Sequence, residues 1–276
     1  MGLKVAVYTL GCKLNQCESE ALASSFESRG FFITSPRDPA DIYIVNTCTV
    51  TSKSEQKARR MIRKFASDFC GSVVIVTGCY AQLDKGDLNI ADNVIVIPND
   101  DKDRLNELPD YLAASLSLSD ASLLELVKNF FVKADSPCMS NRFWFGSVDF
   151  SYHTRAFLKI QDGCNNKCAY CRVTIARGPS VSLSPDLVVK NYISLHEKGF
   201  REVVLTGINL TSYNSEGVNF SQLLIKLLEV AEKLEKPPRI RISSIEPDSI
   251  DSEMIKAVSN DLICPHFHIS VQSGSD

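Results

Sequence analysis

The chain lacks any uninterrupted apolar run of about 18 residues, the length that would carry a helix across a bilayer. It also lacks a strong charge of either sign, since 30 Lys and Arg against 33 Asp and Glu leave a net −3. That balance provides no molecule-wide field for nucleic acid, so any such contact must come from a local basic patch. The start, MGLKVAVYTL, has neither the basic opening nor the long apolar core of a signal peptide. It reads as a buried strand, which also argues against myristoylation at Gly2. Internal repeats and low-complexity tracts are missing. What remains is an ordinary globular composition, 44% hydrophobic and 23% charged over 276 residues, enough for two domains with cores of their own.

Cysteine is what the chain has in excess. There are ten, at positions 12, 17, 48, 70, 79, 138, 164, 168, 171 and 264. A cytoplasmic chain has no oxidising compartment in which to pair them, so spaced cysteines read as metal binding or catalysis.

Residues 1–100 alternate apolar runs with helical patterns. Strands are expected at Val5–Leu10, Ile42–Val45, Val73–Val76 and Val94–Ile97, with crossover helices between them. Such alternation predicts a parallel sheet with helices on its faces. Three of these strands end alike, in TLGC (Thr9 to Cys12), NTC (Asn46 to Cys48) and TGC (Thr77 to Cys79). All carboxyl ends of a parallel sheet share one edge, where ligand crevices form, so Cys12, Cys48 and Cys79 are expected to converge. Gly11 and Gly78 would let the backbone turn beside them. Three converging thiolates suit an iron–sulfur cluster with one iron left open, or a zinc site; three buried small side chains are the plain alternative. Cys17, Cys70, Cys138 and Cys264 read as bystanders. Ser52 to Phe65 reads as a basic helix with Lys53, Lys57, Arg59, Arg60, Arg63 and Lys64 opposite an apolar face of Ala58, Met61, Ile62 and Phe65. It is either a solvated face or a phosphate-contacting one.

Residues 106–150 show no clear period and read as a bridging segment with short helices near 105–118 and 122–131. Beyond it, a strand from Ala156 runs into DGCNNKCAYC, where Cys164, Cys168 and Cys171 are spaced C-x3-C-x2-C. No fourth Cys or His follows nearby, as a closed zinc site would want. Three thiolates so close in sequence suit three corners of a cubane whose fourth iron is open. S-adenosylmethionine can chelate such an iron and be cleaved by one electron, with the protein aiming the chemistry and excluding water. Strands at Glu202–Ile208, Arg239–Ile245 and His266–Val271 alternate with helices at Pro185–Lys198 and Phe220–Leu234, which builds a parallel barrel or part of one. Thr206, Asn209, Ser243, Ser244, Glu246, Gln272 and Ser273 fall at the carboxyl ends of these strands. Tyr170 could offer its ring to an adenine.

Over nearly its whole length the chain resembles the radical S-adenosylmethionine methylthiotransferases. TLGCKLNQCESE, IVNTCTVT and VVIVTGCYAQ are similar to the three signatures of that family's N-terminal domain, and FLKIQDGCNNKCAYC to its radical motif. LTGINL, RIRISSIEP and HISVQSGSD resemble its barrel strands. The branch it most resembles comprises the enzymes that thiomethylate C2 of N6-threonylcarbamoyladenosine at position 37, beside the tRNA anticodon. The resemblance implies an α/β protein: a Rossmann-like methylthiotransferase domain at 1–105, a bridge at 106–150, and a partial radical-SAM (β/α) barrel at 151–276. It implies two [4Fe–4S] clusters, a radical one on Cys164, Cys168 and Cys171 and an auxiliary one on Cys12, Cys48 and Cys79 whose free iron carries the sulfur to be inserted. One S-adenosylmethionine would methylate that sulfur, and a second would give the radical that removes hydrogen from the adenine C2. Tyr170, Arg177, Asn209, Ser244, Glu246 and Gln272 are the expected S-adenosylmethionine contacts. Expected partners are the tRNA anticodon loop and an electron donor such as flavodoxin or ferredoxin, with no membrane. Two departures stand out. Pro179, Val181 and Leu183 stand where the family commonly has basic residues, and the chain stops at Asp276 after its fourth barrel strand, without the family's C-terminal RNA-binding β-domain. The alternatives are therefore another methylthiotransferase target, an isopentenylated adenosine or a ribosomal protein, or an inactive truncated remnant that binds iron–sulfur clusters.

Overall fold

The structure, a computed structural model, describes residues 2–69, 71–118, 120–132, 142–143, 154–247 and 250–274. Cys70 and Cys138 lie outside the described residues. The chain divides into two compact units, one of Met1–Arg142 with Ala169–Arg177, the other of Phe143–Cys168 with Gly178–Asp276.

The first unit opens β1 (Lys4–Thr9), α1 (Lys13–Glu27), β2 (Phe32–Thr34), β3 (Ile42–Thr47), α2 (Ser52–Asp68) and β4 (Val73–Gly78). Two short helices, α3 (Cys79–Leu83) and α4 (Lys85–Leu88), lead to β5 (Val94–Val96). A 3₁₀ segment (Asn99–Asn106), α5 (Leu108–Ser115) and α6 (Leu123–Val132) complete the run. The five strands are parallel, in the order β2-β1-β3-β4-β5. This is a doubly wound order whose switch point lies between β1 and β3. Every residue of β3 and β4 is buried, as expected for central strands covered on both faces. The short edge strand β2 was not expected from the sequence. Of its three residues Phe32 is exposed and Ile33 and Thr34 are half-buried, and three are too few to carry a period. Helix α2 starts where Thr51 caps it by accepting from the Ser54 amide at 3.1 Å, and it packs Ala58, Ile62, Phe65 and Ala66 onto the sheet.

In the second unit β6 (Ala156–Lys159) is followed by β7 (Gln161–Asp162). α7 (Val173–Arg177) intervenes in sequence but belongs to the first unit. The second unit resumes with β8 (Val181–Ser182), α8 (Pro185–Glu197) and β9 (Glu202–Thr206). A small hairpin of β10 (Asn214–Ser215) and β11 (Val218–Asn219) precedes α9 (Phe220–Ala231). Then come β12 (Arg239–Ile242), β13 (Ser244–Ile245), α10 (Ser252–Val258) and β14 (His268–Ile269). Strands β6, β9 and β12 pair in parallel, and β13 pairs in parallel with β14. Three βα units thus run in one direction, the expected part of a barrel. Helix α9 begins with a reciprocal capping box of Asn219 and Gln222. Among the described residues no helix is long and apolar enough to cross a membrane.

Gly78, between β4 and α3, has φ +99°, and a Cβ there would fall 2.3 Å from the Thr47 carbonyl oxygen. Gly30 also has positive φ, but a Cβ would meet nothing within 4 Å. Gly30→Ala is therefore expected to cost about 1–2 kcal/mol through conformation alone, whereas Gly78→Ala adds a backbone clash and should cost about 3 kcal/mol or more. Urea denaturation of the two variants checks the difference; equal losses would contradict the close packing of β3 against the β4 turn.

Candidate iron–sulfur site and radical motif

Cys12, Cys48 and Cys79 follow β1, β3 and β4, three adjacent strands, at one edge of the sheet. Cys12 stands at the start of α1 and Cys79 opens α3. Gly11, at φ +98°, leaves no room for a side chain, since a Cβ would fall 2.6 Å from Cys48 Sγ. The backbone before Cys12 thus lies directly on Cys48. Cys12 and Cys48 both lie close enough to Cys79 to feel its charge. Burial raises the Cys12 thiol above its ordinary pKa, with Arg177 pulling it down and Cys79 pushing it up, although Cys12 keeps exposed surface. Burial likewise raises Cys48, whose sulfur accepts from the Val50 amide at 3.4 Å.

The residues before each cysteine build the edge. Asn15 donates to the carbonyls of Leu10 at 2.7 Å and Thr47 at 3.0 Å, tying the β1 and β3 loops together. Asn46 donates to the Asn15 carbonyl and to Ser19 Oγ, both at 3.0 Å. Thr47 donates to the Thr77 carbonyl at 2.6 Å and accepts from the Ala81 amide at 3.2 Å, joining β3 to the turn that carries Cys79.

Beside the trio lies a buried ionic group that sequence reasoning missed. Glu18, Lys102 and Arg177 are all nearly inaccessible. Glu18 pairs with Lys102 and accepts from Arg177 Nη1 at 2.9 Å. Lys102 also donates to Asn46 Oδ1 at 2.9 Å. Arg177 donates from Nη2 to Asn15 Oδ1 at 2.7 Å and from Nε to Cys79 Sγ at 3.3 Å. Burial lowers the Lys102 pKa, with Glu18 opposing that shift. Arg177, expected among the S-adenosylmethionine contacts, thus has its guanidinium against the N-terminal trio. Two further ties hold its segment to the first unit: Arg172 pairs with Glu55 at 2.8 Å, and Asn99 donates to the Ala176 carbonyl at 2.9 Å.

The donor set fits a cluster. Three sulfurs share one edge with a cation bonded to one of them. Among the described residues no group of three or more His, Cys, Asp and Glu is placed to hold a single metal ion.

In the second unit, the loop carrying Cys164 and Cys168 is set by a glutamine. Gln161 is fully buried. Its Nε2 donates to the carbonyls of Asp162 at 3.0 Å and Gly163 at 2.7 Å and to Ser180 Oγ at 2.9 Å. Its Oε1 accepts from the amides of Ile208 at 2.9 Å and Asn209 at 3.0 Å. One side chain therefore binds the cysteine loop to the end of β9. Gly163, at φ +71°, lies against Pro179, whose carbonyl oxygen a Cβ would meet at 2.0 Å. The buried pair Lys159–Asp162, at 2.8 Å, stabilises the same turn, with Asp162 Oδ1 accepting from the Gly163 amide at 2.7 Å. Val181, at a position expected to be basic, lies in β8 against β7, and Leu183 is buried. These apolar residues are part of the fold.

Cys171 and Tyr170 lie in the segment grouped with the first unit, Tyr170 exposed. Thr206, Asn209 and Ser243 are buried at strand ends. Asn209 Oδ1 accepts from Thr211 Oγ1 at 2.6 Å, and Glu246 accepts from Asn166 Nδ2 at 2.7 Å. Ser244 is half-buried in β13, while Gln272, at φ +64°, and Ser273 are exposed. Cys17 and Cys264 are buried.

Residues 4–97 match the family model described as uncharacterized protein family UPF0004, and residues 158–276 match the radical SAM superfamily. The chain is thus a radical S-adenosylmethionine superfamily protein with a UPF0004 domain ahead of the radical domain. A protein of Treponema pallidum named threonylcarbamoyladenosine tRNA methylthiotransferase MtaB is 36% identical over 99% of this chain and 66% of its own length. The Bacillus subtilis protein of the same name is 36% identical, over 99% of this chain and 58% of its own length. A tRNA-2-methylthio-N(6)-dimethylallyladenosine synthase of Endomicrobium trichonymphae is 30% identical over 98% of this chain and 59% of its own length. The chain belongs to the radical S-adenosylmethionine methylthiotransferase family, and spans about three-fifths of the length of these relatives. Among solved structures, the radical S-adenosylmethionine methyltransferase TsrM of Kitasatospora setae shares the fold at TM-score 0.60 and 13% identity, over 97% of this chain and 59% of its own. The cobalamin-dependent radical enzyme OxsB does so at TM-score 0.56 and 12% identity, over 99% of this chain and 44% of its own.

Replacing Gln161 by Ala leaves one buried and one half-buried amide and two buried carbonyls without their partner. The expected loss is about 2–4 kcal/mol in urea denaturation, and Gln161→Glu, which sets a carboxylate oxygen against the Asp162 and Gly163 carbonyls, should not recover it. A loss below about 0.5 kcal/mol, the range of ordinary surface substitutions, would contradict the clamp.

Proposed function

We propose that the chain carries the catalytic portion of a tRNA methylthiotransferase acting at C2 of N6-threonylcarbamoyladenosine at position 37. The observation that carries this reading is the gathering of Cys12, Cys48 and Cys79 at the switch-point edge of the first sheet, in a chain that also bears the C-x3-C-x2-C radical motif. In this reading Cys12, Cys48 and Cys79 hold an auxiliary [4Fe–4S] cluster, and Cys164, Cys168 and Cys171 hold the radical one. When bound, the clusters and S-adenosylmethionine supply the electron transfer, the carbon radical and the sulfur. The chain's own part is to hold six thiolates and position the nucleoside. Gln161 and the Lys159–Asp162 pair keep the Cys164 loop in shape. Asn166 and Glu246, bonded to each other, and Asn209 and Ser244 at barrel strand ends are suited to bind a polar cosubstrate. The threonylcarbamoyl target is favoured over the dimethylallyl one because the relatives bearing the first name reach 36% identity and those bearing the second reach 32%.

Helix α2 supports contact with a polyanion. Lys53, Lys57, Arg60 and Arg63 are exposed on it, while Arg59 is diverted onto Tyr80. We assign the helix to RNA backbone binding in the cytoplasm, with a one-electron donor such as flavodoxin or ferredoxin as a further partner.

Three measurements test the proposal. Anaerobic reconstitution should load about eight irons per chain, falling to about four when either cysteine trio is replaced by Ala. The loaded chain should cleave S-adenosylmethionine under reduction, and bound zinc in place of iron would overturn the reading. Exchanging Lys53, Lys57 and Arg60 for Gln should lower the salt dependence of tRNA binding by about two to three in log–log slope. An unchanged slope would remove α2 from the interface.

A further inference from the structure

We infer that Arg177 is the positioning residue of the N-terminal cysteine trio, and that its charge sets how readily the metal group held there accepts an electron. This rests on the reading of Cys12, Cys48 and Cys79 as ligands of an iron–sulfur cluster.

Arg177 is buried at the end of α7, and its guanidinium is held from several directions. Nη1 meets Glu18 Oε1 at 2.9 Å, and Nη2 meets Asn15 Oδ1 at 2.7 Å and Glu18 Oε2 at 3.2 Å. These contacts aim Nε at Cys79 Sγ, 3.3 Å away. A neutral thiol is a weak acceptor, so burying a guanidinium donor against it gains little. A metal-bound thiolate is a good one, and hydrogen bonds to ligand sulfurs tune a cluster's potential.

Charge arithmetic gives the direction. The enclosed group contains Lys102 and Arg177, both positive, and Glu18, negative. Lys102 and Glu18 alone would cancel, so Arg177 supplies the net positive charge beside the sulfurs. A net positive charge favours the more negative, reduced state of the cluster. Removing Arg177 should therefore lower the reduction potential. Neutralising Glu18 should raise it, because both cations then act unopposed. An arginine serving only as packing gives no reason for shifts of opposite sign.

The test uses the full chain with Cys164, Cys168 and Cys171 replaced by Ala, reconstituted with iron and sulfide. Titanium(III) citrate donates one electron per cluster, becoming titanium(IV), and electron paramagnetic resonance follows the reduced fraction against solution potential. Iron content is read first. About four irons per chain are expected, and their absence in this parent would overturn the cluster reading and the inference together. With iron bound, Arg177→Met is expected to reduce the cluster at least tenfold less at a fixed potential, a shift of about 59 mV for a one-electron couple. Arg177→Lys should retain most of the parent value, and Glu18→Gln should shift it the other way. If Arg177→Met does not hold iron, Arg177→Lys and Glu18→Gln still decide. Full iron loading with no shift in Glu18→Gln, or shifts of the same sign in Arg177→Met and Glu18→Gln, would overturn the role of Arg177 while leaving the cluster reading intact.

Discussion

A parallel sheet cannot bring distant thiols together without also crowding backbone polar groups at the same edge. Each strand that delivers a cysteine here must end, turn and enter a loop or helix within a few residues. The carbonyls and amides released there are buried and need partners. The first unit meets this constraint with short polar side chains inside otherwise apolar strands. Asn15, Asn46 and Thr47 carry the bonds between the three loops. Gly11 and Gly78 permit the turns. The cysteines are placed by this framework, and its disruption would scatter them.

The ionic group beneath the edge follows from the same need. Several thiolates in a confined space repel one another and disfavour ionisation. Arg177 brings a positive charge to Cys79, and Glu18 holds that guanidinium in place. Lys102 completes the group and reaches Asn46, so the charge balance is joined to the backbone framework through one side chain. Buried charges left unpaired are costly, and this set is paired throughout.

Much of this was legible in the sequence because the signals were local. Three apolar runs ending in cysteine gave the shared edge, and glycine beside two of them gave the turns. The bonding of Asn46 and Thr47, polar residues closing a fully buried strand, emerged only from the structure. Lys102 could not be found this way. It lies in a charged 3₁₀ segment, Asn-Asp-Asp-Lys-Asp, that reads as solvated surface, and its burial depends on contacts with residues more than 50 positions away. Arg177 was singled out, but its partners were not, for the same reason. Gln161 was invisible as a clamp because a glutamine ending a strand carries no periodic signal, and β2 was too short to show one. Pro179, Val181 and Leu183 read as the loss of an expected basic surface. In the structure they provide a strand and a buried leucine packed beside the cysteine loop.

The most direct measurement is diffraction at the iron absorption edge from crystals of the anaerobically reconstituted chain. A compact anomalous peak of several irons, bonded to the sulfurs of Cys12, Cys48 and Cys79, is the predicted result. Iron located elsewhere, or those three sulfurs free of metal in a fully loaded protein, would contradict it.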